Sequence, residues 1–146
     1  MSNSTTHSSE RAPEPVGAYP HAKRAGDFLY LSGVGPRQRG SSEIPGVTLD
    51  GEGNVIEHDI EVQCRSCFDN VKAILEDAGA TWNDVVDVLV FLTDMEGDFK
   101  RYNMVYAEYF AGEGNPNPTR TTIEINCLPT PIAVEVKVVA YLGDDR

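Results

Sequence analysis

Two stretches in the last third of the chain alternate apolar and polar residues with period two. In residues 118–126 the apolar set is Ile123 and Ile125, which leaves Arg120, Thr122, Glu124 and Asn126 on the other side. In residues 132–138 the apolar set is Ile132, Val134, Val136 and Val138, which leaves Glu135 and Lys137. Both patterns predict strands, joined by a turn that carries Pro129 and Pro131. On this reading one sheet face is apolar, and the other presents the Arg120 guanidinium and the Glu135 carboxylate together. Upstream, residues 23–25 and 28–32 predict a hairpin turning at Gly26-Asp27. The Gly- and Pro-rich residues 34–54 predict a long loop with a short strand near 47–49. From Asp59 to Ala78 apolar residues fall at 60, 64, 67, 68, 71, 74, 75 and 78, a helical stripe closed by Gly79. Residues 85–92 form a nearly continuous apolar run suited to a central strand. Asp98 is placed to N-cap a second helix whose stripe is Phe99, Tyr102, Tyr106, Tyr109 and Phe110.

The order is ββαβαββ, an α+β layer with two helices on one face of a single sheet. The strand at 85–92 is apolar on both sides, with Val86, Val88, Val90 and Leu92 on one and Val85, Leu89 and Phe91 on the other. Two helices cover one face only, so the second face calls for a partner subunit.

Composition narrows the partners. With 146 residues the chain builds one core, and its net charge of −11 argues against nucleic acid and against an anionic membrane surface. No apolar run approaches a spanning length, and the N-terminus lacks a hydrophobic signal core. Residues 1–15, rich in Ser and Thr with Pro13 and Pro15, are expected to be a disordered leader before a single domain at 16–146. Three cysteines fit a reduced, cytoplasmic protein. Cys64 and Cys67 have redox or zinc spacing but fall on the helical stripe, where a thiol is a small hydrophobe. Asp50-x-Glu52-x-Asn54 mimics a calcium loop without its Gly, which Val55 replaces, and is expected to be an ordinary turn. His7 lies in the expected leader and His58 is expected at the surface. His21, two residues after Tyr19, suits a site or a surface position equally.

Pro118-Thr119-Arg120-Thr121-Thr122-Ile123, Leu128-Pro129 and Val134-Glu135-Val136 together resemble the RidA/YjgF family of enamine/imine deaminases. The resemblance extends to Gly17-Ala18-Tyr19, to residues 28–33, to Asn70-Val71-Lys72 with Ala78-Gly79, and to Phe99, Asn103, Tyr106 and Phe110. It covers residues 15–142 in the family's order. Within the family, residues 19–28 and 118–122 look most like the 2-aminomuconate deaminase branch. The resemblance implies a chorismate-mutase-like fold assembling as a homotrimer, or a multiple of it, with an inner β-barrel and active sites in clefts between subunits. It implies hydrolysis of an enamine through its imine tautomer without metal or cofactor. The small-molecule substrate is then a dicarboxylate enamine, 2-aminomuconate, converted to 4-oxalocrotonate and ammonia in aromatic-compound catabolism.

In that chemistry Arg120 grips the carboxylate beside the reacting carbon, because a guanidinium forms two parallel hydrogen bonds to it. Glu135 holds and partly deprotonates the attacking water, or shuttles the proton to the departing nitrogen. The resemblance adds Tyr19 as a lid, the backbone of Ser32 and Gly33 as a carboxylate or water partner, Asn103 in support and Thr122 lining the site; His21 joins the substrate-binding set only through its position beside Tyr19. Thr122 stands where many members carry Cys, Asn126 where a small or basic residue is usual, and Val34-Gly35-Pro36 replaces a Gln-containing turn. A second substrate carboxylate needs a cation, for which Lys23, Arg24, Arg37 and Arg39 are candidates. A general 2-imino acid deaminase acting on 2-aminoacrylate-type metabolites, and a non-catalytic, endoribonuclease or chaperone role, are the alternatives.

Overall fold

The apolar stripe after Asp59 forms an 18-residue helix, and the run at 85–92 forms an inner strand of the sheet that the helix helps to cover. The structure, a computed structural model, describes residues 3–143. In chain order the strands and helices are β1 (Ser4–His7), β2 (Ala22–Ala25), β3 (Phe28–Leu31), β4 (Val47–Leu49), β5 (Val55–His58), α1 (Ile60–Asp77), β6 (Val85–Leu92), α2 (Met95–Phe110), β7 (Thr119–Glu124) and β8 (Val134–Tyr141). The main sheet has the order β1-β2-β3-β8-β6-β7, mixed because β6 and β7 run parallel. β4 and β5 form a separate hairpin whose turn is closed by Asp50, which accepts from the Glu52 and Asn54 amides.

Both helices pack on one sheet face, as the pattern predicts. Leu29, Leu31, Val88, Val90, Leu92, Val134, Val136 and Val138 point into the core, against Cys64, Cys67, Phe68 and Leu75 of α1 and Tyr102, Val105 and Phe110 of α2. Cys64 and Cys67 are free, fully buried core residues, and burial pushes the Cys64 thiol up to about 12, so neither is a nucleophile. Asp59 caps α1 by accepting from the Glu61 and Val62 amides, and Gly79 follows with φ +84°, a backbone state that favours glycine.

Four expectations are corrected. Residues 3–15 are not a disordered leader: β1 pairs with β2, and Ser9 and Ala12 are buried. Strands β7 and β8 are not neighbours, since β6 lies between them. The second helix begins a turn earlier than expected, capped by Asp94. Asp98 is instead buried and held 2.7 Å from His58 Nε2, so His58 is half-buried and paired rather than a free surface group. Finally, a register shift between Val85 and Asp87 breaks the simple alternation of β6, leaving Val85 buried and Val86 exposed.

The other sheet face is uncovered within one protomer. Phe28, Tyr30, Leu89, Phe91, Ile123, Val139 and Tyr141 stand on it beside Glu135 and Lys137. Phe28, Tyr30 and Ile123 are 41%, 44% and 39% exposed.

Candidate active site

A cavity of about 430 Å³ opens where the segment before β2 passes the ends of β3 and β8. Its wall includes Tyr19, His21, Ser32, Gly33 and Glu135, five of the eight residues picked out by sequence. Glu135 leaves β8 toward the uncovered face and lies against Gly33, so close that a Cβ there would stand 2.7 Å from its Oε2. Glycine is therefore the residue that lets the carboxylate settle. Burial raises the Glu135 pKa above its ordinary range, and the positive charge of Arg37 opposes that rise. Ser32 Oγ donates to the Pro20 carbonyl at 2.7 Å, and the Tyr19 hydroxyl accepts from the Val16 amide at 3.2 Å.

His21 is neither exposed nor free. Its Nδ1 accepts from the Ser9 amide at 2.9 Å, and its Nε2 lies 2.7 Å from the Pro13 carbonyl. The first contact needs an acceptor and the second a donor, so the ring is neutral with its proton on Nε2. His21 lines the cavity while pinning residues 9–13.

The remaining three residues gather elsewhere. Arg120 on β7 faces α2, where Nη1 donates to Asn103 Oδ1 at 2.8 Å. Its Cζ lies 4.6 Å from the Tyr106 ring centroid, 5.4 Å from that of Tyr102 and 6.0 Å from that of Phe99. These rings attract the guanidinium through their π faces and fix its plane. Thr122 Oγ1 is 2.7 Å from the Tyr102 hydroxyl. The Tyr106 hydroxyl is buried with no hydrogen-bond partner among the described residues, and burial raises its pKa to about 12, so it stays a donor. The aromatic box around Arg120 was visible in sequence only as a helical stripe. The box itself follows from the i, i+3, i+7 spacing of Phe99, Tyr102 and Tyr106, which lines three rings along one helix face where Arg120 of β7 meets it.

Arg120 and Glu135 do not share a face, contrary to the alternation argument. Arg120 pairs with Val88, which pairs with Val138, so it lies two strands away from β8 and three residues along from Glu135. Strand spacing and rise put the two Cα atoms roughly 14 Å apart, and the side chains leave opposite faces. One protomer thus holds the Glu135 carboxylate in a cavity wall and the Arg120 guanidinium in an aromatic box on the other face, apart from one another.

Comparisons with known proteins bear on these halves. Residues 9–142 match the family described as Endoribonuclease L-PSP. A RutC family protein of Pyrococcus horikoshii is 41% identical over 132 residues, covering 90% of this chain and 93% of that protein. The 2-iminobutanoate/2-iminopropanoate deaminase of Escherichia coli is 31% identical over 137 residues, covering 94% and 97%. Among solved structures, E. coli TdcF with bound serine gives a TM-score of 0.80 at 29% identity, covering 94% of this chain and 98% of that one. The E. coli YjgF gene product gives 0.79 at 30%, with the same coverage. The chain belongs to the RidA/YjgF family, the one described as Endoribonuclease L-PSP.

Proposed function

We propose that this protein is a hydrolytic deaminase of 2-imino acids, releasing ammonia and leaving the 2-oxo acid. The observation that carries the reading is Glu135, a carboxylate with a raised pKa set into a cavity wall against Gly33. The E. coli deaminase relative supports the same reaction class. Water adds to the C2 carbon of the iminium while Glu135 accepts one of its protons. The carboxylic acid so formed then protonates the amine nitrogen of the carbinolamine. The C–N bond breaks with its electron pair on nitrogen, releasing ammonia, and the second proton of the former water passes back to the Glu135 carboxylate as the carbonyl forms. General acid–base help of this kind is worth roughly 10²–10⁴-fold. An iminium is already electrophilic, so Glu135 and a carboxylate clamp suffice for this route. The net charge of −11 runs against RNA as a substrate.

Arg120 is the clamp for the C1 carboxylate. Because it lies on the face opposite Glu135, the complete site forms between copies of the chain, and the uncovered apolar face is where copies join as a homotrimer. Three free thiols suit a cytoplasmic setting. A narrower second reading is 2-aminomuconate deamination to 4-oxalocrotonate in aromatic-compound catabolism. The presence of Arg37 and Lys137 on the cavity wall favours it, because that substrate carries a second carboxylate.

The test is ammonia release from 2-imino acids generated in place by an amino-acid oxidase, with and without added protein. Acceleration that disappears in Glu135→Gln supports the assignment. Release at the spontaneous rate with every imine supplied overturns it.

A further inference from the structure

We infer that Arg37 sets the substrate choice of this cavity by receiving a second acidic group, which makes 2-imino dicarboxylates better substrates than 2-imino monocarboxylates. The inference rests on the deaminase reading and names a residue for its specificity. Of the cations near the site, most are engaged or displaced. Arg24 folds back onto the Gly26 carbonyl at 2.9 Å. Lys23 is exposed on β2 and does not line the cavity. Arg39 spends Nε on the Ala12 carbonyl, Nη2 on the Ser9 carbonyl and Nη1 on the Glu14 carboxylate. Lys137 lines the cavity, but its ammonium donates to the Leu31 carbonyl at 2.6 Å.

Arg37 differs in three respects. It lines the same cavity as Glu135, and its charge is felt there, since it opposes the rise in the Glu135 pKa. Only its Nη2 has a hydrogen bond among the described residues, to the Glu14 carbonyl at 2.8 Å, so most of a five-donor fork is open to a ligand. Its backbone is held: Asn70 on α1 donates to both the Gly35 and Arg37 carbonyls, at 2.9 and 2.7 Å. A fixed anchor carrying an open guanidinium is what two-point recognition of a carboxylate requires. The Glu14 carboxylate, which could otherwise compete for that guanidinium, is drawn 3.2 Å from Arg39. A cavity of about 430 Å³ also has more room than a four-carbon acid fills.

The experiment compares kcat/KM of the full chain on the imine generated from glutamate with that on the imine generated from 2-aminobutanoate. Calorimetric titrations with 2-oxoglutarate and 2-oxobutanoate run alongside. We expect wild type to favour the dicarboxylate by roughly tenfold or more in both assays. Arg37→Gln should bring both ratios to within about twofold of unity, and Arg37→Lys should keep only part of the preference. Lys23→Gln, at an exposed position outside the cavity wall, should leave the ratios standing, whereas Arg39→Gln, which frees the Glu14 carboxylate to compete for Arg37, should lower the dicarboxylate preference. A wild-type ratio near one, or an Arg37→Gln variant that loses both substrates equally, overturns the assignment and leaves Arg37 as a staple for Glu14. Should no imine be hydrolysed while the titration ratio still collapses in Arg37→Gln, the deaminase reading falls and the Arg37 assignment stands.

Discussion

At Glu135 two influences oppose each other, burial raising the pKa and Arg37 lowering it. The reactive form is the carboxylate, so the acid limb of kcat/KM against pH should rise through a pKa above the ordinary glutamate range. Arg37→Gln removes the opposing charge and should move that limb to higher pH; a limb that stays put would separate the two residues electrostatically. Gly33→Ala tests the same carboxylate sterically. The new methyl would displace a side chain now 2.7 Å from its position, so activity should fall by roughly tenfold or more while the melting temperature changes little. Unchanged turnover would mean that the carboxylate works from another rotamer. Arg120 and Glu135 were legible as residues because strand alternation isolates them and the surrounding motif is specific. Their faces were not. Alternation gives each strand its own two sides, but the relation between β7 and β8 depends on β6 lying between them, and no periodicity records strand order.

At the scale of elements, α1, β6 and the β2–β3 hairpin were readable because each satisfies its own pattern locally. Residues 3–15 were not, because what orders them lies far away in sequence. Ser9 Oγ donates to Asp77 at 2.6 Å, Arg11 bonds Asp77 and Glu76, Arg39 holds the Ser9 and Ala12 carbonyls, and His21 holds Ser9 and Pro13. A Ser-, Thr- and Pro-rich composition says nothing of such partners. The Asp94 cap was missed for a related reason: Asp98 also precedes an apolar stripe, and only its pairing with His58 shows that it is spoken for inside the helix. Because residues 13–16 form part of the cavity wall, the arm links stability to the site. His21→Ala leaves the buried Ser9 amide without its acceptor and the Pro13 carbonyl without its donor, a loss of about 1–3 kcal/mol. Hydrogen exchange should show the Ser9 amide losing protection, with KM rising as the wall loosens. Full protection in the variant would show that the arginine contacts alone hold the arm.

For the whole molecule, the decisive fact is that one sheet face is finished by helices and the other is not. Phe28, Tyr30, Leu89, Phe91, Ile123, Val139 and Tyr141 form an apolar surface that water does not favour, and a second face of this kind is normally covered by another copy. Light scattering should give a trimer mass, and Phe91→Lys, which places a charge on that surface, should shift it toward the monomer and remove activity with it. The opposition of Arg120 and Glu135 makes a sharper demand. If each site takes its guanidinium from one copy and its carboxylate from the next, Arg120→Lys and Glu135→Gln are inactive alone yet complementary when mixed. Random exchange at equal amounts gives each half-site an even chance of being intact, so roughly a quarter of the sites should recover both groups. Activity should therefore return to about that fraction of wild type after the two inactive proteins are dissociated and reassembled together. A site drawn from a single copy has no such route, since every protomer in the mixture lacks one group. Mixtures as inactive as their components would place both residues in one protomer's site and require Arg120 to leave its aromatic box to reach it.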